Sequence, residues 1–146
     1  MSAIPPRWML YPLLATVLLT AIVACVLYRR RAVEMRARRV RPQAVASARQ
    51  MSTLLEDTGP ADNFRNLFET PLLFYVAGIV VYAAALTNAW YLALAWGYVA
   101  TRVTHSAIHC SYNKVMHRFA AFAASFLVLM VLWATIAWDL LVAGRG

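Results

Sequence analysis

Acidic residues and cysteines are scarce in this chain, and charged residues of any kind are few. The 146 residues include six acidic residues and two cysteines, and only 14% of them are charged whereas 62% are apolar. An average soluble domain carries about 25% charged residues, so this composition excludes an ordinary soluble domain and is typical of a membrane protein. The cysteines, Cys25 and Cys110, both lie in apolar sequence. They provide neither a disulfide framework nor the spacing of a metal site.

Long apolar runs account for most of the sequence. A helix that crosses a bilayer needs roughly 20 apolar residues, and the chain supplies such segments near residues 8–28, 71–87, 89–109 and 119–142. The sequence therefore predicts an all-α integral membrane protein. Its four transmembrane helices would form a bundle that is a single domain over residues 1–146.

The basic residues are clustered in a way that predicts the topology. Eight of the fourteen lie between Arg29 and Arg49, and Lys114 and Arg118 follow the third span. Cytoplasmic loops carry an excess of Lys and Arg, so the connections 29–60 and 110–118 are expected to be cytoplasmic and both termini non-cytoplasmic. Anionic lipid headgroups are a second expected use of the arginine cluster. Nucleic acid is not expected as a partner, because the basic patches that bind it sit on folded soluble modules.

The N-terminal run has an alternative interpretation as a lipoprotein signal that ends at a lipidated Cys25. The arginines at 29–31 would then follow the cleavage site at once, and positive charge at that place opposes export. We therefore expect a retained first helix that continues as a basic extension over residues 29–51. A turn should follow over 54–60, and Asp62 or Asn63 is expected to cap the helix that enters the membrane at Pro71.

The third span carries a polar stripe. Arg102, His105 and His109 lie at helical spacing inside an apolar stretch, so they share one helix face. Charged groups and imidazoles at membrane depth are costly, and they are usually paired and functional. The stripe therefore predicts a buried site for an anionic ligand. A metal or haem site is an alternative, because two histidines at i and i+4 can ligate a metal, although the neighbouring arginines would repel a cation.

A second group of polar residues precedes the second span. Asp62, Asn66 and Glu69 follow one another at spacings of four and three, so they are expected to share a face, with Arg65 one turn from Glu69. Spacing alone favours an ordinary solvated helix start with an intrahelical pair between Arg65 and Glu69. The position of Glu69 at the membrane boundary, on the side of the third helix that carries His109, predicts that these groups converge with the stripe.

Residues 63–71 (NFRNLFETP), together with the run RVTHSAIH at 102–109 and Arg118 beyond it, resemble the MAPEG family. These are the membrane-associated proteins of eicosanoid and glutathione metabolism, and they include microsomal glutathione transferases, prostaglandin E synthase and the lipoxygenase-activating protein. The resemblance implies a four-helix protomer in a homotrimer, with glutathione as cosubstrate between neighbouring protomers. It further implies a glutathione-dependent transferase or peroxidase that acts on lipophilic electrophiles.

The resemblance also implies roles for single residues. The positions that hold the tripeptide or line its site are matched by Arg65, Asn66, Glu69, Arg102 and His105. Arg118 matches the arginine credited with stabilising the glutathione thiolate. One of the arginines at 29–31 is expected to reach the site of the adjacent protomer.

Several positions depart from the family pattern. His109 stands where the prostaglandin synthase branch has a tyrosine, and Asp62 stands where eukaryotic enzymes have an arginine. Phe119 and Phe122 replace hydroxyl-bearing residues near the thiol. Tyr112, Asn113 and His117 are expected to be loop and interface residues.

A free thiol has a pKa of about 8.5, so little of it is thiolate at neutral pH. A guanidinium beside the sulfur favours the charged form, and Arg118 can supply it because arginine does not lose its own charge. The competing function is a non-catalytic, lipid-binding member of the same fold, in which the stripe only fixes helix packing. Such a scaffold has no need of a cation that stabilises a thiolate.

Overall fold

The chain folds into helices that run back and forth along one another. A computed structural model describes residues 4–45, 47, 50, 53–56 and 58–142. Within these ranges there is no strand, so the prediction of an all-α protein is confirmed. The elements are a 3-10 turn at Pro6–Met9, α1 at Leu10–Ala37, a 3-10 turn at Pro42–Val45, α2 at Gly59–Asn66, α3 at Thr70–Ala83, α4 at Ala89–His109 and α5 at Val115–Leu141.

The antiparallel course of the helices separates two chemically different ends of the bundle. At one end the Thr87 hydroxyl donates to the Pro6 carbonyl at 3.3 Å, which ties the α3–α4 link to the start of the chain. At the other end the guanidinium of Arg30 donates to the carbonyl of Cys110, at the end of α4. The basic extension of α1 and the α4–α5 link therefore lie at the same end, as the predicted topology requires.

Apolar side chains fill the centre of the bundle and also cover much of its outside. The rings of Phe74 and Tyr98 stack in the core with centroids 4.3 Å apart. Three helical stretches of the described chain are long and apolar enough to cross a membrane, namely Pro6–Ala37, Gly59–Ala83 and Val115–Leu141. The 21-residue helix α4 has sufficient length for a span, but its polar stripe lowers its hydropathy.

Several helix ends differ from the predicted ones. The extension of α1 ends at Ala37, well before residue 51, because Arg39 adopts a left-handed backbone with φ 54°. Helix α3 ends at Ala83, before the predicted 87, and Ala85 likewise has φ 53°. Helix α5 begins at Val115 instead of 119, so Arg118 lies in its first turn and the loop 110–118 shortens accordingly.

The start of α2 also corrects an expectation. The helix begins at Gly59 with Thr58 at the N-cap position, so the predicted cap at Asp62 or Asn63 is wrong. Asn63 instead lies inside α2, where its side chain is fully buried against α4. It accepts a hydrogen bond from the Ser106 hydroxyl at 3.3 Å. This contact holds α2 against the helix that carries the polar stripe.

Candidate functional site

The candidate site is built around an interruption in the helical backbone between Asn66 and Thr70. Proline lacks an N–H and disfavours helical geometry in the residue before it, and Pro71 follows this interruption directly. The Asn66 carbonyl receives a long bond of 3.4 Å from the Glu69 N–H and a second bond of 3.2 Å from Arg102 Nη2. Arg102 thus caps the C-terminal end of α2, where the helix dipole favours a cation.

Arg102 is fully buried, with 0% of its surface exposed. Its Nε and Nη1 atoms have no hydrogen-bond partner among the residues that the structure describes. A buried charge is costly unless it is paired, and a buried donor without a partner adds to that cost. Two free donors of a buried guanidinium are therefore suited to an anionic group brought in by a ligand.

The two histidines of α4 are held in defined hydrogen-bonding roles. His105 Nδ1 lies 3.1 Å from the carbonyl oxygen of Arg118, which can only accept, so Nδ1 is the donor. His109 Nε2 lies 3.3 Å from Arg118 Nη1, which can only donate, so this nitrogen is the acceptor. The other nitrogens, His105 Nε2 and His109 Nδ1, are buried without a partner in the described part of the chain.

A small cavity joins three elements at this end of the bundle. It measures about 170 Å³ and is lined by Asn66 at the end of α2, His105 on α4, and four residues of α5, which are Val115, Arg118, Phe119 and Phe122. The polar lining residues lie on three different helices, whereas the apolar lining residues all belong to α5. The cavity can hold a polar group on one side and an apolar group on the other.

The structure brings together most of the predicted site residues. Asn66, Arg102, His105, His109 and Arg118 are linked to one another by the hydrogen bonds and the cavity described above. Their convergence across α2, α4 and α5 follows from the interruption after Asn66 and from the short link between α4 and α5.

Two predicted ligand-binding residues lie outside this group. Arg65 and Glu69 are both exposed, and within the described ranges neither side chain forms an ion pair or a hydrogen bond. Glu69 is close enough to act electrostatically on Arg102. The expectation that Asp62, Asn66 and Glu69 share one helix face is wrong, because α2 ends at Asn66 and Glu69 takes the N-cap position of α3.

Sequence reasoning missed Asn113, which it placed among the loop residues. Its Oδ1 accepts a hydrogen bond from Arg118 Nη1 at 3.0 Å. It also missed the buried contact between Asn63 and Ser106. Asparagine is common where a helix ends in a left-handed conformation, but no sequence signal indicates which distant side chain its amide will contact.

The family of this chain is identified by comparison with known protein families. The chain matches the model of the MAPEG family over residues 9–138, which includes every residue of the candidate site. The protein belongs to the MAPEG family. It is therefore a membrane protein of a family of eicosanoid and glutathione metabolism, and the predicted resemblance is confirmed. No curated protein and no solved structure matched the MAPEG chain.

Within the described ranges of this MAPEG chain, no group of three or more His, Cys, Asp or Glu side chains is placed to hold a metal ion.

Proposed function

We propose that this MAPEG protein is a glutathione-dependent transferase or peroxidase that acts on lipophilic electrophiles. The observation that carries the proposal is the fully buried Arg102, which has two donors free among the described residues. It bonds to Asn66, which lines the same cavity as Arg118. The site thus offers one cation for anchoring an anionic ligand and a second cation beside the cavity.

The charges of glutathione fit those of the site. The tripeptide carries two carboxylates, an ammonium group and a thiol. In this proposal Arg102 binds one carboxylate through its free guanidinium donors. The exposed Glu69 pairs with the ammonium, and Arg65 pairs with the second carboxylate at the open edge of the site.

Arg118 has the role of stabilising the thiolate. Arg118 lines the cavity, so in this proposal a thiol placed there lies near its positive charge. A lowering of the thiol pKa by one to two units requires about 1.4–2.7 kcal/mol of preferential interaction with the thiolate. An opposite charge within hydrogen-bonding range can supply this.

The cavity of one protomer is too small for the whole ligand. Its volume of about 170 Å³ is below the roughly 300–1,000 Å³ of ordinary ligand pockets, and Phe119 at its wall is 63% exposed. We infer that a neighbouring protomer completes the site in a homotrimer. Arg30 already contacts Cys110 within its own protomer, so Arg29 and Arg31 are the candidates for a contact across the interface.

The membrane arrangement follows from the same proposal. Helix α4 is the third of four spans, and the end of the bundle that carries the basic extension faces the cytoplasm. Glutathione then enters from the cytoplasmic side. The electrophile arrives from the bilayer along the apolar wall of α5.

The chemistry needs no further cofactor. In the transferase reaction the thiolate sulfur forms a bond to an electrophilic carbon, the leaving group departs with its bonding electrons, and the thiol proton goes to water. In the peroxidase reaction two glutathione molecules are oxidised to the disulfide, while a hydroperoxide is reduced to an alcohol and water.

One observation favours the lipid-binding alternative. A cavity of about 450 Å³ opens between α1 and the α2–α3 region, and its walls are almost wholly apolar. It is lined by Val17, Thr20, Ala21, Ala24, Phe64, Leu67, Phe68, Leu72 and Tyr75. A lipid chain can occupy this cavity without using Arg118.

Turnover separates the two functions. Detergent-purified protein with glutathione should conjugate chlorodinitrobenzene or reduce a fatty-acid hydroperoxide, and Arg118→Ala should lose most of that activity. Lys114→Ala is the matched control, because it removes a cation from the same region that does not line the cavity. Absence of turnover with both acceptors, or equal turnover in Arg118→Ala, would contradict the enzyme proposal.

A further inference from the structure

We propose that Asn113 is a positioning residue for Arg118. Its amide oxygen and His109 orient the guanidinium of Arg118. The Nε and Nη2 atoms then face the thiol, and the positive charge is not neutralised by a carboxylate. The inference rests on the proposed function and assigns to that function a residue outside the predicted site.

The hydrogen bonds of Arg118 are concentrated on one nitrogen. Nη1 lies 3.0 Å from Asn113 Oδ1 and 3.3 Å from His109 Nε2. Because Nη1 carries two hydrogens, these two acceptors use both of them. Within the described chain, no acceptor is bonded to Nε or Nη2 of Arg118. The Nε–Nη2 edge is therefore available for a sulfur anion.

Both acceptors are neutral, and this distinguishes the arrangement from an ordinary ion pair. A carboxylate in the place of Asn113 would bind the guanidinium strongly, but its negative charge would offset the field that stabilises a thiolate. In the described ranges Arg118 has no carboxylate within ion-pair distance. Neutral acceptors orient the guanidinium and leave its charge available.

The backbone of Asn113 supports this assignment. Its φ of 49° lies in the left-handed region, and its N–H donates to the Ile108 carbonyl at 3.0 Å, which closes the end of α4. Asparagine and glycine are the residues that adopt this conformation most readily. Asn113→Gly therefore removes the amide oxygen while it keeps the turn between α4 and α5.

The test is the pKa of the thiol of bound glutathione, measured by ultraviolet thiolate absorption across a pH series. Asn113→Gly should raise this pKa by about half a unit, because the guanidinium keeps only the hydrogen bond to His109 and is less well oriented. Asn113→Asp keeps the shape of the side chain and adds a negative charge, so it should raise the pKa further, by about one unit. Tyr112→Phe alters the same loop without touching Arg118 and should leave the pKa unchanged.

Three results would overturn the inference while the proposed function stands. One is an equal thiol pKa in the wild-type protein and Asn113→Gly, and another is a value for Asn113→Asp at or below that of the wild type. In the Arg118→Ala background, Asn113→Gly should have no effect on the thiol pKa, and a shift there would also contradict the inference. A wild-type protein with no thiolate band overturns the proposed function itself, and the inference falls with it.

Discussion

Arg102 carries a positive charge into fully buried surroundings, and among the described residues it finds a single acceptor, the Asn66 carbonyl. Removal of an unpaired charge from such a place need not destabilise a fold. The proposed function accounts for this charge, because an anionic ligand would pair with it. The same guanidinium caps α2, so in the proposed function one side chain both anchors the ligand and stabilises the end of that helix.

Arg102→Met should bind glutathione roughly 10- to 150-fold more weakly, because hydrogen bonds to a charged group are worth about 1.5–3 kcal/mol. Arg102→Lys keeps the charge but lacks the planar guanidinium, so its affinity for glutathione should lie between that of the wild-type protein and that of Arg102→Met. Equilibrium binding in detergent measures the affinity, and the melting temperature of each variant confirms folding. Wild-type affinity in a folded Arg102→Met variant would remove this residue from the site.

Single residues of the site were predictable when they shared one helix. The spacing of Arg102, His105 and His109 placed them on one face of α4, where the structure has them. The role of Asn113 was not predictable, because its contact with Arg118 depends on the left-handed end of α4 and the early start of α5. Arg65 is exposed, as the alternative of an ordinary solvated helix start predicts.

At the scale of the helices, local signals predicted some ends well and others poorly. Helix α4 has the same bounds as the predicted segment 89–109, since the Asn88 side chain caps its first turn by accepting from the N–H groups of Trp90 and Tyr91. The end of α1 depends on a left-handed arginine, Arg39. No composition signal marks an arginine for that conformation.

The contact between α1 and α3 depends on a glycine. A Cβ atom at Gly78 would lie 2.5 Å from Leu13 Cδ2, too close without a shift of the leucine. At Gly97 the nearest atom, Val128 Cγ1, would be 3.9 Å away, which is an ordinary contact. The two glycines therefore form a matched pair, one at a close helix approach and one with room for a methyl group.

Gly78→Ala should destabilise the bundle relative to Gly97→Ala by about 1–3 kcal/mol, the usual cost of overpacking. Gly97→Ala should be neutral or stabilising by up to about 1 kcal/mol, because alanine is the better helix former. Thermal unfolding of both variants in the same detergent measures the difference. Equal melting temperatures would contradict this prediction and would show that the Leu13 side chain moves aside without cost.

At the scale of the whole molecule, the polar groups of the candidate site lie together towards one end of the bundle. Arg102, Arg118 and both histidines of α4 lie towards the end that also carries the basic extension of α1. The outer faces of the helices are apolar, as expected for lipid contact. This arrangement agrees with the proposed function. A charged thiol ligand would reach the cavity from the cytoplasm, and an apolar electrophile would reach it from the bilayer.

The all-α class followed from hydropathy and composition. The cavity of the candidate site could not be predicted from hydropathy or composition, because it is formed by side chains of three helices that meet only in the folded chain. Its completion by a second protomer is a prediction from its size and from the exposure of Phe119.

The most direct test of the central claim is the ultraviolet thiolate absorption of the purified protein, titrated with glutathione at neutral pH. The proposal predicts a saturable thiolate band in the wild-type protein. It further predicts that Arg118→Ala still binds glutathione but shows no band, because the thiol pKa returns towards its ordinary value of about 8.5. Binding without a band in the wild-type protein, or an equal band in Arg118→Ala, would contradict the claim that this site activates a thiol.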